Sequence, residues 1–150
     1  MGRTLNICFE TNKAIIVEYF LRATGLLFTA WLFGGTMIFA MGFAAFAFKV
    51  LPTDQARLLI RKAFPPFYLF VMATAFVAAA LLSTVEGVSA LVLLIVALTT
   101  IPTRQVLMPA INRATDGGDK KRFMVLHTIS VLITLAHIAA AGTVLVWLIS

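Results

Sequence analysis

The 150-residue chain is 61% hydrophobic and only 12% charged, with a mean hydropathy of +1.02. A soluble domain carries roughly 25% charged and 45–50% apolar residues, so this composition excludes a soluble fold and makes lipid the solvent for much of the surface. The net charge of +6 would suggest nucleic acid in a soluble protein. Here the basic residues lie between apolar stretches, as in membrane proteins, so we expect no nucleic-acid partner.

Four apolar stretches cover residues 23–50, 64–84, 88–108 and 123–149. Each reaches the roughly 20 residues that a helix needs to cross about 30 Å of hydrocarbon. Membrane strands would need only about ten residues and would alternate in polarity, and none of the four does so. The pattern predicts an all-α fold, an integral membrane four-helix bundle, with residues 1–150 as a single transmembrane domain.

The segment before the first stretch, residues 12–22, has two interpretations. Glu18 and Arg22 stand four apart, in the order that favours a helical ion pair. Two charges in so short a segment make a spanning role costly. We therefore expect either a short interfacial helix or an extension of the first span. The lone cysteine, Cys8, excludes an intramolecular disulfide.

The links between the stretches predict how neighbouring helices meet. Thr53 or Asp54 is a suitable cap for a short helix over 56–62, after which Pro65-Pro66 is expected to open the second span. The segment Ser83–Gly87 is so short that spans two and three must form a tight antiparallel hairpin.

Lysine and arginine are unevenly divided between the two sides. Three lie on the side of the termini, and nine lie in or beside the links 51–63 and 109–122. Because cytoplasmic flanks collect positive charge, the imbalance predicts that both links are cytoplasmic and both termini lie outside.

Small residues recur along the spans, as Gly34, Gly35 and Gly42 in the first and Ala136, Ala139 and Ala140 in the fourth show. Such residues let helix backbones approach closely in lipid. They serve either to pack the bundle itself or to dock another protein, and the pattern leaves both readings open.

Two histidines in the last span are the candidates for cofactor binding. His127 and His137 are ten residues apart, about 15 Å along a helix, so they cannot both ligate one iron. His137 either ligates a haem together with a residue of another subunit or hydrogen-bonds a neighbouring helix, through Thr134 or a carbonyl. With one cysteine and no acidic residue in the spans, we expect no metal site within the chain.

Arg104 lies near the cytoplasmic end of the third span, two residues after Pro102. Its side chain either extends to the interface to reach water or forms an anion or lipid-headgroup site with the basic run Lys120-Lys121-Arg122.

Several short motifs occur in order between Leu26 and Leu148. They are Gly34-Gly35, Leu51-Pro52, Ala56, Ile60, Lys62, Phe64-Pro65, Phe67-Tyr68, Pro109 and Phe123-x-x-x-His127-x-x-Ser130. In these motifs the chain resembles the transmembrane protein 205-like family. The resemblance implies a four-helix membrane protein, with bacterial members grouped as a domain of unknown function, so we expect a bacterial inner membrane. With the orientation that the charge imbalance predicts, both termini are then periplasmic.

The matched positions and Arg104 define a candidate cluster at the cytoplasmic face. Its members are Phe64, Pro65, Tyr68, Arg104, Pro109, His127 and Ser130, and Phe123 also matches the family pattern. The resemblance gives His127 a role there, bridging to Ser130 or to the start of the second span near 65–68. Whether the cluster is a structural clasp or a binding site stays open.

Function is the least specified property. No nucleophile–base pair, paired carboxylate, phosphate loop or zinc motif occurs in the sequence, so we expect a protein that is not an enzyme. The abundant packing surface favours a non-catalytic accessory or assembly subunit of a larger complex, with the lipid bilayer and other membrane subunits as partners. The alternative is a small-molecule protein that binds or transports haem, quinone or a solute.

Overall fold

A computed structural model describes the backbone of residues 2–150 and the side chains of residues 11–150, so the side chain of Cys8 lies outside the described part. The chain is 93% helical. We number four helices in this part. Helix α1 comprises Gly2–Met37, a π-helical turn at Ile38–Phe43, and Ala44–Val50, and helix α2 is Thr53–Leu82. Helix α3 comprises Gly87–Pro102, a π-helical turn at Thr103–Leu107, and Met108–Asp116, and helix α4 is Lys120–Ile149.

All four helices are long and apolar enough to cross a membrane. A helix of 30 residues is about 45 Å long, whereas the hydrocarbon layer is about 30 Å thick, so the polar ends of α2, α3 and α4 project from it. The chain is therefore a multi-pass membrane protein, and the predicted all-α bundle is confirmed.

The helices form a closed ring. Helices α1 and α3 each pack against both α2 and α4, which leaves α1 diagonal to α3 and α2 diagonal to α4. The centre is filled by apolar side chains without solvent contact, among them Leu32, Val71, Leu82, Leu93 and Val144.

A polar contact closes the end of the bundle that carries the C-terminus. Arg22 of α1 lies 3.4 Å from the carboxylate of Glu86, in the turn between α2 and α3, and donates to the Leu148 carbonyl at 3.2 Å. Arg22 therefore pairs with Glu86 and not with Glu18, because Glu86 and the last turn of α4 together offer it two acceptors. These three residues mark one level of the bundle.

The opposite end holds nine of the twelve lysines and arginines, and we call it the basic end. Here Arg61 of α2 donates two hydrogen bonds to the carboxylate of Asp116 in α3, at 2.8 and 2.7 Å. The turn into α4 needs Gly118, whose φ of 69° is a left-handed conformation that suits glycine. Asp119 then caps α4 by accepting the Arg122 N–H at 3.0 Å.

Helix α1 continues past the level of Arg22 without a break. Residues 11–20 all have exposed side chains, and they carry the helix about 16 Å beyond that level. Of the two predicted arrangements, the extension of the first span is the one that forms, and a separate interfacial helix does not.

The expected helix break before Pro65 is wrong. Both Pro65 and Pro66 lie inside the continuous helix α2, and neither Thr53 nor Asp54 caps it with a side chain. The two prolines cost hydrogen bonds to the carbonyls four residues earlier, those of Arg61 and Lys62. These carbonyls are at the basic end, where water can satisfy them, so the helix persists.

The closest helix approach that depends on a glycine lies between α1 and α2. A Cβ built on Gly25 would be 2.6 Å from Cγ of the fully buried Leu82, whereas one on Gly34 meets nothing within 4 Å. We predict that Gly25→Ala lowers the free energy of unfolding by about 1–3 kcal/mol through overpacking, measured by denaturation in detergent. Gly34→Ala is the matched control and is expected to cost nothing, so equal losses in the two variants would contradict the packing shown.

The Arg61–Asp116 pair makes stability depend on pH. The guanidinium hydrogen-bonds the carboxylate and lowers the pKa of Asp116 below its ordinary value, at a place beyond the apolar stretches. The stabilisation is therefore complete above the unfolded pKa, near 4, and is lost as pH falls through the lower folded value. We predict that Asp116→Asn is less stable than the wild type at pH 7 and that this difference vanishes in acid.

The control is Asp54→Asn, since Asp54 is an exposed carboxylate at the same end that forms no ion pair within the described residues. Melting temperatures from pH 3 to pH 7 provide the measurement. A wild-type advantage over Asp116→Asn that is as large at pH 3 as at pH 7 would sink the prediction.

Candidate functional site

Most buried hydroxyl groups bond only to their own helix. Thr29, Thr36 and Thr100 each donate to the carbonyl four residues earlier, at 2.7–2.8 Å. In a membrane such bonds satisfy hydroxyl groups that cannot hydrogen-bond to water. The polar side chains that connect different helices are few, and they locate the candidate site.

One such connection crosses the bundle between α2 and α4. The hydroxyls of Tyr68 and Ser130 are both buried and lie 3.4 Å apart. Both residues belong to the predicted cluster, so the structure brings together two members that are 62 residues apart in the chain.

Aromatic rings surround Tyr68 on the side of α1. The ring of Phe39 stacks on Phe67 at 3.8 Å between centroids, nearly parallel, and meets the edge of Phe64 at 5.3 Å. Phe64 in turn lies 5.7 Å from the Tyr68 ring. The sequence predicted Phe64 and Tyr68, whereas Phe39 and Phe67 become part of the site only through this stacking.

The two π-helical turns lie at the level of this cluster. Phe39, which stacks on α2 beside Tyr68, belongs to the turn of α1. For α3, the bond between Thr99 and His137 fixes its register against the antiparallel α4. Arg104, five residues after Thr99, is therefore level with residue 132, next to Ser130 in height. We call this level, formed by Ile38–Phe43, Tyr68, Thr103–Leu107 and Ser130, the π layer.

The turn in α3 has a local cause. The Met108 N–H bonds the carbonyl of Thr103, five residues back, which is the π-helical pattern. Pro109 follows and has no N–H to donate, so a regular ladder would also lose a bond there. Such turns are frequent at functional sites. Pro109 contributes to this site through its backbone, which lacks an N–H.

His127 lies apart from the cluster. Its side chain is exposed and stacks on Phe123 at 5.4 Å between ring centroids. The expected bridge from His127 to Ser130 or to the start of the second span is wrong, because Ser130 faces Tyr68 instead.

His137 forms a helix-to-helix hydrogen bond. Its Nε2 lies 2.8 Å from the hydroxyl of Thr99, which itself donates to the Ile95 carbonyl at 2.7 Å and so accepts from the imidazole. Thr134, the partner considered from sequence, donates to its own helix at Ser130. Among the described residues, no three His, Cys, Asp or Glu side chains are grouped so as to hold a metal.

Comparison with known families gives one match. A family model described as a domain of unknown function, DUF4149, covers residues 27–120, more than half of the chain. The chain belongs to the DUF4149 family. The DUF4149 match contains both π-helical turns, Tyr68 and Arg104, while Ser130 and His137 lie beyond it. No curated protein and no solved structure matches the chain.

The Thr99–His137 bond can be tested by removing its acceptor. We predict that Thr99→Val destabilises the protein by about 0.6 kcal/mol, the average for hydrogen bonds between membrane helices, and by no more than about 1.7 kcal/mol, because His137 loses its partner. Denaturation in detergent measures this loss. Thr143→Val is the control, since the exposed Thr143 bonds only the Ala139 carbonyl of its own helix, and an equal loss there would argue against the interhelical bond.

Proposed function

We propose that this DUF4149 protein is a non-catalytic accessory or assembly subunit of a larger membrane complex. The observation that supports this most is the projecting part of α1, residues 11–20. It has exposed side chains throughout, and five of them are large and apolar: Ile15, Ile16, Val17, Tyr19 and Phe20.

The position of these side chains makes their exposure costly. They lie beyond Arg22 and Glu86, the charged pair that closes the bundle at this end. Charged groups favour the membrane surface, so a helix continuing past them leaves the hydrocarbon. Apolar groups grouped outside lipid are typical of a surface that another protein covers.

The shape of this region also suits a protein partner. A cleft of about 470 Å³ lies between the projecting helix and the turn joining α2 to α3, lined by residues such as Val17, Leu21 and Val85. A helix or loop of another subunit that occupied the cleft would contact two elements of this chain at once.

The role of the bundle in this proposal is structural. Most of its buried hydroxyls bond to their own helices, and the rings of Phe39 and Phe67 stack on one another. This is how a packing unit is built, and it agrees with a chain that contributes surface and not chemistry.

The proposal includes a place in the cell. The nine lysines and arginines at the basic end support an orientation with that end in the cytoplasm and both termini in the periplasm of a bacterial inner membrane. The resemblance to the transmembrane protein 205-like family belongs to the same proposal.

The proposed assembly can be tested on the protein extracted from its own membrane in a mild detergent. We expect native mass spectrometry to find this 16.3-kDa chain bound to at least one different membrane protein. Phe20→Ala is expected to release that partner, because Phe20 is 65% exposed on the projecting helix. An absorbance spectrum of the same sample reports any bound haem, which would favour the small-molecule alternative.

The control is Leu27→Ala. Leu27 is 68% exposed on the same helix face, two turns closer to the membrane centre, so its truncation should leave the complex intact. A lone monomer, a complex made only of copies of this chain, or equal loss in both variants would overturn the proposal.

A further inference from the structure

Arg104 has the most unusual environment of the charged residues. It lies in the π-helical turn of α3, its Nε is buried without a hydrogen-bond partner, and its guanidinium forms no hydrogen bond or ion pair within the described part of the chain. A guanidinium cannot lose its proton in a protein. A charged donor without an acceptor is costly in a poorly hydrated place, and because the Arg104 side chain is only partly buried, an acceptor from outside the chain can reach its guanidinium.

Within the described residues, no carboxylate pairs with Arg104. Of the described acidic residues, Glu86 pairs with Arg22, Asp116 pairs with Arg61 and Asp119 caps α4. Glu18 projects beyond the other end of the bundle, and Asp54 is at the outermost turn of α2. The remaining one, Glu10, lies outside the described side chains, twelve residues before Arg22 in the sequence.

The depth of Arg104 indicates where a partner would come from. It is 18 residues after Glu86, about 27 Å along the helix axis. In a hydrocarbon layer of about 30 Å, this places its backbone just inside the surface at the basic end, within reach of lipid headgroups for an arginine side chain. The Nε of Arg104 is enclosed without an acceptor while the rest of the side chain is only partly buried, so the guanidinium is incompletely solvated at this depth.

The positive charge of the basic end favours an anionic ligand. Nine basic residues stand there against Asp54, Asp116 and Asp119, and Lys121 and Arg122 line an open cleft of about 330 Å³ at the start of α4. Such an excess of positive charge concentrates anionic ligands and anionic lipids at the surface.

We propose that Arg104 binds a phosphate oxyanion that enters from the basic end, carried either by an anionic phospholipid of that leaflet or by a free phosphate. The planar guanidinium suits two parallel hydrogen bonds to phosphate oxygens. The site is independent of the accessory role, since it lies at the end opposite the projecting helix and requires no other protein.

The test measures stabilisation of the purified full chain in neutral detergent. Melting temperature is followed while phosphatidylglycerol, phosphatidylcholine or inorganic phosphate is added. We expect phosphatidylglycerol to stabilise the wild type and phosphatidylcholine to have no effect. Arg104→Gln is expected to weaken the apparent affinity for phosphatidylglycerol roughly ten- to a hundredfold, the range for a hydrogen bond to a charged group. Competition by inorganic phosphate would assign the site to a soluble ligand, and its absence to lipid.

The matched control is Arg113→Gln, because Arg113 is an exposed arginine of the same helix, and its loss changes the net charge equally. It should bind phosphatidylglycerol like the wild type. Equal weakening in the two variants would show general attraction to the basic face and overturn the proposal, as would a wild type that neither probe stabilises.

A second comparison keeps the test decisive if Arg104→Gln does not fold. Arg104→Lys keeps the charge but loses Nε and the forked geometry, so it is expected to bind more weakly than Arg113→Lys. Native mass spectrometry provides an independent count of bound phosphatidylglycerol, and equal counts in the two lysine variants would contradict a site at Arg104.

Discussion

The structure depends on one constraint, which is that polar groups inside a bilayer find their partners within the protein. Backbone groups do so by forming helices, and residues 2–149 are helical apart from the turns between the helices. Buried threonines follow the same constraint by donating to the carbonyl one turn earlier. Few side chains are then left to join one helix to another.

Among the described residues, these connections sit at four heights. Arg22 joins the end with the C-terminus, Thr99 and His137 join α3 to α4 midway along the helices, Tyr68 and Ser130 join α2 to α4 in the π layer, and Arg61 with Asp116 joins the basic end. Between them, close packing holds the ring together, as at Gly25 against Leu82. Since lipid is as apolar as the side chains, this contact area and not hydrophobic exclusion keeps the helices associated.

In the π layer the regular α-helical hydrogen bonding is interrupted, on the diagonal helices α1 and α3 and at the same height. Tyr68 and Ser130 join the other diagonal at the same height. The layer therefore combines irregular backbone, stacked aromatic rings and a partly buried arginine near one membrane surface. The projecting start of α1 is the second departure from a plain bundle, and the two features lie at opposite ends, where they can serve different partners.

The sequence by itself determined the fold class, because a continuous apolar stretch of about 20 residues leaves helix as the only spanning structure. It also predicted the tight hairpin at residues 83–87 and placed Phe64, Tyr68 and Ser130 in one candidate cluster. Single-residue signals were less reliable. Pro65 and Pro66 are strong helix breakers in isolation, yet α2 runs through them, since water at the basic end replaces the lost bonds.

Only the tertiary structure decided which polar groups meet. Arg22 pairs with Glu86 and not with Glu18, and His137 hydrogen-bonds Thr99 and not Thr134. The Ser130 hydroxyl, which the family pattern had suggested as a partner of His127, contacts Tyr68. Each choice depends on the register and rotation of helices far apart in the chain, which local spacing does not encode. The same holds for the shared height of the two π-helical turns and for Arg104, because only the packed bundle shows that no described residue offers it an acceptor.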